Sequence, residues 1–225
     1  MDSKRVLEDL AKLPGIKNTA LFVFDFDLTI TSQHLHNLIT QNLHQVGKDS
    51  NRQWELVKNI PPIGDPARWQ KIFNKILQQG NLIAIASFNA YPHIIERYLI
   101  ETVGIKANTV KELLLIKAEL PEDPEKTHKN AYIDDLIISY NFNGYRLTPK
   151  DVIFIDDSTF NLRAAQTVGC LVIPADAKGT HLGMLEKGLG ITEQAFFDKK
   201  TGENQTKLAS DQDNLPKPTL KRNAS

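Results

Sequence analysis

The sequence has 225 residues, of which 41% are apolar, so it is long enough to form one large domain with a substantial core. The 27 basic and 27 acidic residues give a formal net charge of zero, which argues against general attraction to nucleic acid or to an anionic membrane. A single cysteine, Cys170, excludes an internal disulfide framework, and with no secretory signal and no apolar stretch of roughly 18 residues we expect a cytoplasmic protein without a membrane segment.

The amino-terminal part of the chain alternates helical and strand-like apolar patterns. The spacing of apolar residues predicts, in chain order, a short helix at 6–13, a buried strand at 20–24, a helical stripe at 35–46 and a helix at 69–77 that Gly80 closes. Between the last two lies a polar, proline-containing stretch up to Pro66, and the whole gap from residue 32 to about 66 is expected to hold one or two helices.

The same alternation continues through the rest of the chain. The predicted elements are a strand at 81–86, a helix opened by Pro92, a strand at 113–116, a helix at 124–140, a strand at 151–155, a helix at 160–168 and a strand at 170–173. Strands that alternate with helices predict right-handed crossovers. We therefore expect an α/β fold, doubly wound and Rossmann-like, with a mostly parallel sheet flanked by helices.

Polar side chains follow three of the predicted strands: Asp25 and Asp27, then Ser87, then Asp156 and Asp157. In a parallel sheet the carboxyl ends of such strands meet at one edge, where ligands bind. A helix start near Lys129 could deliver an ammonium group to the same edge. This set suits Mg²⁺, whereas zinc is disfavoured because the sequence offers neither a cysteine cluster nor a well-spaced histidine pair.

Taken in order, these residues resemble the four motifs of the haloacid dehalogenase superfamily of aspartyl phosphotransferases. The resemblance spans Leu21 to Ile173, and it is especially good over residues 156–165. It implies a phosphoric monoester hydrolase that depends on Mg²⁺, with a haloacid dehalogenase-like domain at 1–198 that includes a small cap at 32–66. Residues 199–225 are polar and are expected to form a flexible tail.

The resemblance also implies catalytic roles. Asp25 would be the nucleophile that forms an aspartyl-phosphate, and Asp27 would be the general acid and base. Asp25, the backbone carbonyl of Asp27 and Asp157 would hold Mg²⁺, with Asp156 close by or as a further ligand. Ser87 would donate a hydrogen bond to a phosphate oxygen.

The resemblance implies that a lysine would neutralise the transferred group and the nucleophile. Lys129 is preferred over its rival Lys126 because the apolar residues 132, 136 and 137 place it on the buried face of its helix. Thr29 is expected to stabilise the tight turn and Asp27, and Asn161 to orient the metal ligands. The expected substrate-binding set is Thr29, Ser87, Asn89, Lys129 and His34, with His36 as a further histidine near the substrate.

The short inserts predict a shallow active site, which would admit a phosphoprotein such as a phosphotyrosine protein. Small phosphorylated metabolites and nucleotide monophosphates are the alternative substrates. A phosphate-binding or scaffold module on the same fold is a second alternative, and a phosphoaccepting receiver is a third. Phosphomutase activity stays open, while Asp27 disfavours dehalogenation because protonating a leaving oxygen requires a nearby acid.

Overall fold

The structure is a computed structural model that describes residues 19–123 and 126–191. The helix predicted at 6–13 and the tail predicted at 199–225 therefore lie outside the described residues. Within the described ranges, no helix combines the length and the apolar character needed to cross a membrane.

Five strands form one parallel sheet in the order β3-β2-β1-β4-β5. Their bounds are Leu21–Phe24 for β1, Leu82–Ser87 for β2, Leu114–Ala118 for β3, Val152–Asp156 for β4 and Leu171–Pro174 for β5. In register, Phe22 lies between Ile83 of β2 and Ile153 of β4. Strands β1, β2 and β4 are buried along their whole length, as expected for a sheet covered on both faces. The predicted doubly wound α/β fold is confirmed.

Nine α-helices connect or follow these strands in the part of the chain that the structure describes. They are α1 (Leu35–Gln41), α2 (Leu43–Val46), α3 (Ser50–Val57), α4 (Pro66–Gln78), α5 (Pro92–Glu101), α6 (Ala107–Leu113), α7 (Asn130–Phe142), α8 (Thr159–Thr167) and α9 (Thr180–Gly188). A single 3₁₀ turn, Pro149–Asp151, precedes β4.

Several helix boundaries differ from the sequence-based predictions. The polar stretch before Pro66 contains α3, which begins where the Asp49 side chain accepts hydrogen bonds from two backbone amides and which buries Trp54 and Val57. Helices α6 and α9 were not predicted. Helix α7 begins at Asn130, after Lys129, whereas the prediction placed its start at residue 124.

Two apolar layers cover the sheet. On one face Phe24 packs against Trp69 and Phe73 of α4, with ring centroids 5.8 and 5.3 Å apart. The other face is covered by α7 and α8, whose buried side chains include Tyr132, Leu136 and Leu162. Each fully buried aromatic or aliphatic side chain stabilises the fold by about 1.5–3 kcal/mol, so these layers fix the positions of the strand ends.

The strand order reverses between β1 and β4. From β1 the chain winds outward through β2 to β3, and it then returns to place β4 on the other side of β1. In open α/β sheets this reversal opens a crevice at the carboxyl ends of the two central strands. The motifs after β1 and β4 lie at that crevice.

Candidate active site

The segment after β1 forms a tight turn that begins at Asp25. The Asp25 amide donates to the carbonyl of Ile155 at 2.8 Å, which ties the turn to β4. The amides of Thr29, Ile30 and Thr31 all donate to the Phe26 carbonyl. Leu28 has a φ of 59°, a left-handed conformation that costs an ordinary residue about 1–2 kcal/mol. The surrounding hydrogen bonds hold the turn in this shape.

Lys129 lies between two carboxylates at the centre of the site. Its Nζ is 2.6 Å from Asp25 Oδ1 and 2.8 Å from Asp156 Oδ2, and all three side chains are buried. The ammonium also lies 5.4 Å from the centre of the Phe88 ring. Lys126, the rival lysine, is exposed and forms an ion pair with Asp123 at 2.9 Å. The geometry therefore brings Lys129, and not Lys126, to the aspartates.

Carboxylate oxygens of Asp25, Asp156 and Asp157 lie within 4.8 Å of one another. When all three are ionised, the single ammonium of Lys129 leaves two negative charges uncompensated. Burial raises the pKa of Asp25 well above its usual range, and the opposing effect of Lys129 is smaller. Burial and the neighbouring Asp156 also raise the pKa of Asp157. Three hard oxygen donors with this charge fit a divalent cation such as Mg²⁺.

Asp156 is held by its own neighbours. Its Oδ1 accepts from the Ser158 amide at 2.7 Å, and the Asn161 Nδ2 donates to both carboxylate oxygens at 3.2 and 3.3 Å. Asn161, which the sequence predicted to orient the metal ligands, thus contacts Asp156. Because the carboxylate is fully buried, these donors and Lys129 offset the cost of removing its charge from water.

Asp27 points away from this cluster towards the first turn of α1. Its carboxylate accepts from the amides of Leu35 at 3.0 Å and His36 at 3.4 Å, and from the Asn89 side chain at 3.3 Å. Burial raises the pKa of Asp27, and the two amide donors offset part of that rise. The two aspartates of the turn therefore have different environments, which is the arrangement that separate nucleophile and acid roles require.

The remaining predicted residues lie at different distances from the surface. Ser87 is the buried last residue of β2, and Asn89 is fully buried with its amide bonded to Asp27 and to the Tyr91 backbone. His34 is exposed at the start of α1. The Thr29 amide donates to the Phe26 carbonyl within the turn, whereas its buried hydroxyl makes no hydrogen bond, so the support of Asp27 by Thr29 stays a prediction. The hydrogen bonds to the Asp27 carboxylate come from α1 and Asn89.

His181, in α9, contacts the turn after β1, and the sequence did not predict this contact. Its Nε2 donates to the Thr29 carbonyl at 3.2 Å, and its Nδ1 accepts from the Asp176 amide at 3.4 Å. The side chain is fully buried, and burial lowers the pKa of His181 to about 4. Nothing in the sequence near residue 181 signals a partner in the turn after β1, so only the fold reveals this contact.

No protein-family model matches the chain, and a comparison with curated proteins gives no match. Among solved structures, a haloacid dehalogenase-like hydrolase from Streptococcus pneumoniae matches at 14% identity and a TM-score of 0.46, over 80% of this chain and 98% of that one. A phosphoserine phosphatase matches at 14% identity and a TM-score of 0.47, over 73% of this chain and 91% of that one. A probable YrbI-family phosphatase from Pseudomonas syringae matches at 14% identity and a TM-score of 0.46, over 88% of this chain and 99% of that one.

Proposed function

We propose that this chain is a Mg²⁺-dependent phosphatase of the haloacid dehalogenase superfamily, which hydrolyses phosphomonoesters through an aspartyl-phosphate on Asp25. The observation that carries the proposal is the buried contact of Asp25 with Lys129 at 2.6 Å, beside Asp156 and Asp157. A carboxylate held against an ammonium at the crevice of a parallel sheet is placed to attack a bound phosphoryl group.

In the first step a carboxylate oxygen of Asp25 forms a bond to phosphorus, and the bond between phosphorus and the ester oxygen breaks. The leaving oxygen takes a proton from Asp27; burial raises the pKa of this carboxyl and so lowers the cost of protonating it before the step. In the second step water attacks the aspartyl-phosphate, Asp27 accepts its proton, and Asp25 is released with inorganic phosphate. Each step is easier than direct attack of water on the ester.

Lys129 and Ser87 would bind the phosphoryl oxygens. The Lys129 ammonium keeps its proton because Asp25 and Asp156 raise its pKa more than burial lowers it. It can therefore compensate the negative charge of the phosphoryl group without a proton transfer. Ser87 lies at the end of β2, the strand next to β1, so its hydroxyl can donate to the same group.

Asp25, Asp157 and the backbone carbonyl of Asp27 would hold Mg²⁺, with Asp156 as a neighbour or further ligand. When bound, the cation would supply charge compensation between the phosphate dianion and the carboxylates. The fit is supported by the three converging carboxylates and their two uncompensated charges.

A phosphorylated protein side chain is the proposed substrate class, and small phosphomonoesters are the alternative. The segment between β1 and α4 that would act as a cap contains three short helices of 7, 4 and 8 residues. A cap of this size leaves room for a bulky substrate. A panel of phosphopeptides and metabolites distinguishes the two classes: preference for a free metabolite over every phosphopeptide would contradict the proposal.

The activity itself is tested with p-nitrophenyl phosphate and purified protein, with and without Mg²⁺. The wild type should release p-nitrophenol only when Mg²⁺ is present, and Asp25→Asn should remove this activity. A wild type that is no faster than Asp25→Asn in the presence of Mg²⁺ would refute the proposal.

A further inference from the structure

Two partly buried rings, His36 and Tyr91, lie beside the buried carboxylate of Asp27. Their centroids are 5.6 Å apart and their planes are tilted by 36°. His36 belongs to the first turn of α1, whereas Tyr91 immediately precedes α5. The two rings, called here the ring platform, thus join the segment after β1 to the segment after β2. They are too close together for another ring to fit between them, and the His93 ring lies 6.2 Å from Tyr91 at an interplanar angle of 87°, so a ligand could lie only against the part of their outer surface that stays exposed.

Hydrogen bonds connect the ring platform directly to Asp27. The His36 amide donates to Asp27 Oδ2, and so does the Asn89 side chain, whose Oδ1 accepts from the Tyr91 amide at 2.9 Å. The His36 Nδ1 accepts from the Ala90 amide at 3.3 Å, so its proton must be on Nε2 when the ring is neutral. These bonds make the carboxylate and both rings one connected unit.

The general acid fixes where the leaving group must lie. On the proposed phosphatase function, on which this inference depends, the leaving oxygen comes within about 3 Å of the Asp27 carboxylate. Because Asp27 is bonded to the His36 amide and, through Asn89, to the Tyr91 amide, the group attached to that oxygen would lie near both residues. Partly exposed rings offer a flat surface on which an aromatic group can stack, and such contacts add to the energy of simple burial.

We infer that the ring platform binds the leaving group and makes the enzyme selective for aryl phosphomonoesters, of which a phosphotyrosyl side chain is an example. An aliphatic leaving group, such as that of phosphoserine, ends too close to the phosphorus to cover both rings. Tyr91 and His36 are then specificity-determining residues, and Asn89 is a positioning residue that holds Tyr91 in register with Asp27.

The test measures kcat/KM for free phosphotyrosine and free phosphoserine with Mg²⁺ present. For each substrate the value of the variant is divided by that of the wild type, so the different acidities of the leaving groups cancel. Tyr91→Leu should lower kcat/KM for phosphotyrosine by about threefold to tenfold, and it should change kcat/KM for phosphoserine by less than about twofold. Tyr91→Phe keeps the ring and should behave like the wild type.

His36→Asn and Phe142→Ala complete the comparison. Asparagine can accept the Ala90 hydrogen bond without a ring, so His36→Asn should also reduce only the phosphotyrosine value. Phe142 is 82% exposed at the far end of α7, and its removal should change neither substrate. Equal losses for both substrates with Tyr91→Leu would overturn the inference.

Inhibition measures binding independently of the chemical step. Phenylphosphonate should inhibit Tyr91→Leu more weakly than it inhibits the wild type, while methylphosphonate should inhibit both equally. An unchanged inhibition constant for phenylphosphonate would overturn the inference even if catalysis changed. A wild type without Mg²⁺-dependent turnover would instead overturn the proposed function, and the inference with it.

Discussion

At the scale of single residues, Asp25 and Asp27 differ because of what surrounds them. Asp25 shares Lys129 with Asp156, so its charge belongs to a cluster that suits a cation. Asp27 accepts hydrogen bonds from two backbone amides of α1. The N-cap residue of this helix, His34, forms no capping hydrogen bond with its own side chain. The proposed general acid therefore also caps a helix that begins eight residues after it in the chain.

Replacing Lys129 tests the compensation of charge in the cluster. Lys129→Met removes the ammonium that contacts Asp25 and Asp156, and we expect kcat/KM for p-nitrophenyl phosphate to fall by about a hundredfold or more. Lys126→Met is the matched control, because that side chain is exposed and forms an ion pair with Asp123, away from the acidic cluster. Comparable losses in both variants would contradict the assignment.

Replacing Asp27 separates proton transfer from metal binding. Asp27→Asn keeps an oxygen that can accept an amide of α1 but cannot donate and recover a proton as the carboxyl does. We expect both chemical steps to slow by about a hundredfold or more, with little change in Mg²⁺ affinity measured by calorimetry. A large loss of Mg²⁺ affinity would show that the Asp27 side chain, and not its backbone carbonyl, binds the cation.

At the scale of secondary-structure elements, α9 supports the turn after β1 through His181. The bond from His181 to the Thr29 carbonyl links residues 152 positions apart, and Trp69 of α4 lies 5.9 Å from the same imidazole. The neutral imidazole is needed because its Nδ1 accepts the Asp176 amide. Packing of α9 therefore depends on a histidine that stays unprotonated.

His181 predicts how stability depends on pH. Its pKa is about 4 in the folded protein against a usual value near 6.5, so between these values the unfolded state binds more protons. The neutral imidazole contributes about 3 kcal/mol to the free energy of unfolding. This contribution is fully present above pH 6.5 and is lost as the pH falls through 4. Urea unfolding should show this loss. His181→Gln keeps the donor to Thr29 and should flatten the dependence of the free energy of unfolding on pH between 6.5 and 4. An unchanged slope in this variant would contradict the role given to His181.

The elements that the sequence predicted are those whose apolar pattern is continuous. Strand β1 is buried throughout and helix α4 buries Trp69, Ile72, Phe73 and Ile76, so their patterns are visible without knowledge of the fold. Helix α3 buries only Trp54, Val57 and Gln53 within a polar segment, so its pattern is too sparse to recognise. The role of His181 depends on tertiary contact alone, which no local pattern records.

At the scale of the whole molecule, the strand order explains why the site could be located in advance. Parallel strands with polar residues at their carboxyl ends must bring those residues to one edge, so the meeting of Asp25 and Asp156 follows from the topology, and Lys129 reaches them from the start of α7. The direction in which Asp27 points could not be predicted in this way. It depends on where α1 and the loop after β2 supply donors.

The acidic cluster predicts a stabilising effect of Mg²⁺ on the whole fold. A cation that binds only the folded state raises the free energy of unfolding, by about 2.7 kcal/mol at a concentration one hundred times its Kd. Protons compete for Asp25 and Asp157 because the pKa of each is raised, so the effect should shrink as the pH is lowered. Thermal unfolding with Mg²⁺ or a chelator measures both trends. An equal shift in melting temperature at every pH would contradict the proposed competition.

The most direct test of the central claim is to search for phosphate on Asp25. Protein mixed with p-nitrophenyl phosphate and Mg²⁺ is quenched in acid within one turnover, digested and analysed by mass spectrometry. We predict one added phosphoryl group on the peptide that contains residues 21–29, located at Asp25 and absent from Asp25→Asn. Turnover without a phosphorylated peptide, or with phosphate on another residue, would contradict the account.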